Sequence, residues 1–240
     1  MTPRTRPDAP LPLPLEPARW ELRAARRLAS LLPTWRRSPA TVTYLCVLLT
    51  TYWVTFRLLP LDQAERVFHA VSTNLDNLQH HPVRSLLGSA LFPATPLLSV
   101  PGVLTLGVGI AGCLGWIERT HGTGRALAAL AIGHFGATLV TAPVVMCGIV
   151  SGRYDPAEAF GFDFGISYAA VAAMAAVTGR LPGLLRPLWL LSGVGYVLST
   201  AEWYGLLPDF TTIGHLSAVA LGCMAARLLG LDRRRVTGRG

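Results

Sequence analysis

Two residues in this chain have the types and setting for nucleophilic chemistry. Ser167 is the third residue of an apolar run in "GFDFGISYAA", residues 161–170, just after an aspartate and between two aromatics. A serine becomes a nucleophile only when a base takes its proton. Six histidines are available: His69, His80, His81, His121, His134 and His215. Of these, only His134 and His215 fall within apolar segments. A histidine in a long apolar segment is a functional candidate, because a polar group there is costly. The competing reading of Ser167 is a packing residue bonded to a backbone carbonyl.

The elements that must position this pair follow from composition and hydropathy. Half the chain is hydrophobic (51%), only 14% is charged, and mean hydropathy is +0.44 over 240 residues. A soluble domain carries nearly twice that charge fraction. The net charge of +8 could suggest nucleic acid, but every basic residue is Arg and the arginines flank long apolar runs. This patterning is that of a polytopic membrane protein, and it argues against a nucleic-acid partner. Six apolar segments are predicted, near 39–58, 97–117, 126–149, 165–179, 184–204 and 214–230. The first is not followed by a small-residue cleavage site and is read as a retained span.

The arginines also give an orientation. With the N-terminus in the cytoplasm, 17 arginines lie inside and four outside (Arg57, Arg66, Arg84, Arg153), whereas five acidic residues lie inside and eight outside. The expected fold is therefore all-α, six transmembrane helices with both termini cytoplasmic. Three regions are expected. Residues 1–38 form a Pro/Arg-rich tail with a basic amphipathic segment, 39–230 the membrane domain, and 231–240 a basic tail. The long external connection 59–96 is expected to form short interfacial helices. The four cysteines lie inside spans without metal-ligand spacing, so neither a disulfide framework nor a zinc site is expected.

Segment four is about 15 residues, roughly 22 Å of helix, against a hydrocarbon core of about 30 Å. It must start below the surface, so the preceding "GFDF" has to dip inward and be enclosed by protein or line a wet cavity. Ser167 then sits at a helix N-terminus, where free amides favour an oxyanion. From His215 and from Ser167 to the next inner arginine the distances in sequence nearly match, which puts both side chains at similar depth. Ala218 and Gly222 on segment six, and the alanines of segment four, allow close helix approach. Asp163 reads as the N-cap of segment four. His134 reads as a structural partner for another helix.

In these features the chain resembles the rhomboid family of intramembrane serine proteases, over roughly residues 39–230. "GISY" (Gly165–Tyr168) stands where that family has GxSG, and "HLSAVALG" (His215–Gly222) where it has HxxGxxxG. "ERTHG" (Glu118–Gly122) matches Glu-x-x-x-Gly, and "PVRSLLGSALF" is similar to the external loop. The resemblance implies Ser167 as nucleophile and His215 as general base, with transmembrane protein substrates and no metal or organic cofactor. It further implies a multi-pass protein of the lipid bilayer, here read as a bacterial plasma membrane, with the site toward the external side. The chain departs from the family in three places. "PGVLTLGVGI" lacks the second-helix His and Asn, with Thr105 its only hydroxyl. Tyr168 replaces a glycine, and Ala218 stands at the first small position after His215. Gly165, Tyr168 and Asp163 are candidate oxyanion or supporting groups, with Tyr168 expected to point toward segment two or the external loop and its hydroxyl into the cavity. Asn74, Asn77, His80 and His81 are further substitutes for the absent donors. The departures favour a second reading, an inactive rhomboid-like protein that binds membrane clients. A transporter is a distant third, since the two halves show no repeat.

Overall fold

The computed structural model describes residues 34–232. The N-terminal tail through residue 33 and the basic end from residue 233 lie outside the described residues. Among the described residues, three helices are long and apolar enough to cross a membrane: α1 (Pro39–Leu58), α5 (Val100–His121) and α6 (Thr123–Val150). Between α1 and α5 the connection forms three short helices, α2 (Leu61–Val71), α3 (Leu75–His80) and α4 (Pro82–Ser89). The remaining apolar segments carry α7 (Ile166–Ala176), α8 (Leu185–Ser199) and α9 (Phe210–Leu228).

The distribution of side chains is that of a membrane bundle. Leu139, Leu188, Leu191 and Val150 are exposed on helix exteriors, while Ser38, Thr41, Glu118, His134 and Thr138 are buried. Small residues let the helices meet closely. The central element is α7, whose six alanines are all buried. A Cβ on Gly109 of α5 would strike Ala170, one on Gly133 of α6 would strike Ala172, and one on Gly222 of α9 would enter the Ala172 backbone.

Glu118, of the "ERTHG" stretch, is 3% exposed and serves as a staple. Its carboxylate accepts from the Ala40 amide (2.9 Å), the Thr41 amide (2.8 Å), the Thr41 hydroxyl (2.7 Å) and the Thr123 hydroxyl (2.8 Å). It thus satisfies the free amides opening α1 and holds the start of α6. Gly122, at φ 95°, makes the turn between α5 and α6.

Several expected boundaries move. Segment four ends its α-helix at Ala176, with a 3₁₀ turn over Thr178–Arg180. Segment five stops at Ser199, and the chain then folds into a hairpin, Trp203–Tyr204 against Leu207–Pro208, turned at Gly205 with φ 68°. Helix α9 starts at Phe210 rather than 214. The Asp209 carboxylate caps it, accepting from the Thr212 amide at 3.0 Å and the Thr212 hydroxyl at 2.7 Å. His215 therefore stands one turn inside its helix.

Candidate functional site

Ser167 is the second residue of α7, and the first bond of that helix runs from the Ala169 amide to the Gly165 carbonyl at 3.0 Å. The amides of Ile166, Ser167 and Tyr168 thus lie ahead of the ladder. Ser167 and His215 are both half-buried, and both line one cavity of about 530 Å³ between α5, α7, α8 and α9. Thr105 and Val108 of α5, Met174 of α7 and Trp189 of α8 complete its wall. The wall is mainly apolar, with Thr105, Ser167, Ser192, Tyr196, Thr200 and His215 as its polar members. In this state the Ser167 hydroxyl donates to the Phe164 carbonyl at 3.3 Å.

Residues 161–165 ahead of Ser167 are irregular, and the connection between α1 and α5 grips them from one side. The Thr73 amide donates to the Asp163 carbonyl (2.9 Å), and the Asp163 amide donates to Ser72 Oγ (2.9 Å). Thr73 Oγ1 lies 3.0 Å from Asp163 Oδ2 and 3.1 Å from its carbonyl oxygen, while Asn74 Nδ2 donates to the Phe160 carbonyl at 3.4 Å. Several backbone polar groups of this turn are therefore met by protein.

This arrangement corrects the reading of Asp163 as a helix cap. No side chain caps α7; Gly165 occupies that position, and the Asp163 carboxylate turns to Thr73.

Tyr168 is also corrected. Its ring is fully buried among Ala137, Ala172 and Ala218, with its tip against Gly214 of α9. It meets the His215 ring edge-on, with centroids 5.1 Å apart and an interplanar angle of 78°. It points to α9, not to segment two, because the glycine at 214 provides the space. It is not among the residues lining the cavity, so its hydroxyl is not placed to donate to an oxyanion there.

The other substitute donors are engaged elsewhere. Asn74 caps α3 by accepting from the Asn77 amide (2.8 Å), Asn77 Nδ2 donates to the carbonyls of His69 (2.6 Å) and Ser72 (3.0 Å), and His80 lies 2.8 Å from the Asp76 carbonyl. Neither they nor His81 line the cavity. Ser72 and Thr73, which hold the turn before the serine, were not singled out from sequence. A hydroxyl pair in a loop carries no spacing signal that would have identified them.

A helical bundle with apolar exteriors, a small-residue interior and a serine and histidine facing one cavity defines an integral membrane protein. A family model described as rhomboid-like protein matches residues 34–235, and the chain belongs to that family. No curated protein and no solved structure matches it.

Proposed function

We propose that the chain is a rhomboid-like intramembrane serine endopeptidase acting through Ser167 and His215 on transmembrane segments of other membrane proteins. The observation that carries this reading is the shared cavity: two residues 48 positions apart in sequence, on different helices, face the same space. In the proposed reaction Ser167 rotates from the Phe164 carbonyl to another staggered rotamer. Its Oγ attacks a peptide carbonyl carbon while His215 takes the hydroxyl proton. The peptide C–N bond then breaks and His215 returns the proton to the departing amine. Water, activated by the same imidazole, hydrolyses the acyl ester and restores Ser167. The Ser167 amide at the open start of α7 and the Thr105 hydroxyl are the groups offered to the oxyanion. Loss of one such donor costs about 100–1,000-fold in rate, so turnover on this set is slow. The membrane domain is taken to have six spans with both termini cytoplasmic and the cavity toward the external side.

A second reading has its own support. The Ser167 hydroxyl is bonded to a carbonyl, and α5 brings only Thr105 in place of a His and Asn. On that reading the chain binds membrane-protein clients without cleaving them. Reaction of the detergent-solubilised protein with a serine-directed fluorophosphonate separates the two. Covalent labelling that disappears in Ser167→Ala and falls at least tenfold in His215→Ala is expected for the protease. An unlabelled wild-type protein leaves the client-binding reading.

A further inference from the structure

His134, on α6, is the one fully buried histidine of the described residues, and the mechanism above does not use it. It lies in a π-helical stretch, Ile132–Gly136, a wide turn that occurs disproportionately where a helix serves a site. Its Nε2 is 2.6 Å from the Leu86 carbonyl of α4. A carbonyl only accepts, so Nε2 carries the proton and donates. Nδ1 then holds the lone pair in the neutral ring. That edge of the ring rests on Gly165: a Cβ at this position would fall on Nδ1 and on the carbon between the two nitrogens. Gly165 is the residue whose carbonyl receives the first bond of α7, and it stands two residues before Ser167.

We infer that His134 is a positioning residue for the nucleophile: its imidazole fixes the Gly165 backbone to α4 and so sets where α7 begins and where Ser167 Oγ stands. The inference rests on the proteolytic reading of Ser167. Three features support it beyond packing. The bond to Leu86 fixes the ring's tautomer and plane, so the imidazole is a rigid spacer. The turn 161–165 is held on its other side by hydrogen bonds from Ser72, Thr73 and Asn74 to Phe160, Gly161 and Asp163, and by the rings of Phe68 on Phe164 and His69 on Phe162; none of these contacts is to Gly165. Gly165 itself is met by the His134 ring. The absence of a side chain at 165 also acquires a reason, since the ring occupies that space. His134 does not line the cavity, so it acts through Gly165 and not on substrate.

The test compares fluorophosphonate labelling rates of Ser167 in the full-length protein for His134→Ala, His134→Gln, Gly165→Ala and the double variant His134→Ala/Gly165→Ala, with thermal unfolding measured alongside. His134→Ala is expected to slow labelling at least tenfold. His134→Gln, which keeps a donor for the Leu86 carbonyl, is expected to recover at least a third of the rate. Gly165→Ala alone is expected to slow labelling and lower the unfolding temperature. Adding His134→Ala is expected to relieve part of both effects, because it vacates the space that the new methyl needs. Labelling of folded His134→Ala at the wild-type rate overturns the inference while leaving the proteolytic reading intact. So does strict additivity of the two substitutions, which remains readable in unfolding temperature if one single variant is too unstable to label. A wild-type protein that does not label at all removes the proteolytic reading and the positioning role with it.

Discussion

At the scale of single residues, Tyr168 shows how a family departure can be absorbed. A tyrosine replaces glycine beside the nucleophile, yet it does not block Ser167, because successive residues on a helix are rotated by about 100°. Its ring goes to the other side, into space left by Gly214, and lies edge-on against His215. This geometry gives the ring, rather than the hydroxyl, the consequential role. Tyr168→Phe is expected to keep the Ser167 labelling rate within about twofold. Tyr168→Ala leaves a cavity beside His215, of the kind that costs about 3–5 kcal/mol, and is expected to lower both unfolding temperature and labelling. A tenfold loss in Tyr168→Phe would restore the hydroxyl to the chemistry and contradict the packing seen here. Asp163 was identified in sequence as a polar group near the serine, but its partner was not. The hydroxyl that holds it comes from Thr73, 90 positions away.

At the scale of elements, the glycine and alanine faces carry the packing. Lipid is as apolar as leucine, so helices in a membrane gain from close backbone approach rather than from burying large side chains. Helix α7 touches α5, α6 and α9 through Gly109, Gly133 and Gly222. The Ala218 and Gly222 face of the sixth segment was legible as a small-residue stripe, and the structure pairs it with Ala172. Gly222→Ala places a methyl group against the Ala172 backbone, which has no rotamer with which to yield. The expected cost is about 1–3 kcal/mol, with a lower unfolding temperature in detergent and slower labelling of Ser167 as α7 and α9 separate. Wild-type stability in Gly222→Ala would show that the two helices slide without penalty. By contrast α8 buries little but Val197. Its Trp189 Nε1 donates to the Met174 carbonyl at 3.0 Å, tying the wall of the cavity to α7.

At the scale of the whole molecule, the proposed orientation rests on charge. Arginines cluster at the ends assigned to the cytoplasm and acidic residues at the opposite ends. Single cysteines introduced at Asp76 and Asp155 are expected to react with an impermeant reagent from outside. Those at Gly122 and Pro182 are expected to react only after the membrane is opened, and outside reactivity at 182 would exclude the six-span arrangement. Membership of the family, the helical class and the apolar segments were all determined by the sequence alone, because hydropathy, arginine placement and short motifs are local properties of the chain. The pairing of Ser167 with His215 across one cavity was only suggested there, by matching distances to the inner arginines. The tertiary structure decided what lies between and behind them: Tyr168 against His215, Thr73 on Asp163, and His134 on Gly165. Those contacts join residues from distant parts of the chain through space that the helix packing creates, and no periodicity or spacing in one strand of sequence encodes where a neighbouring helix will leave room.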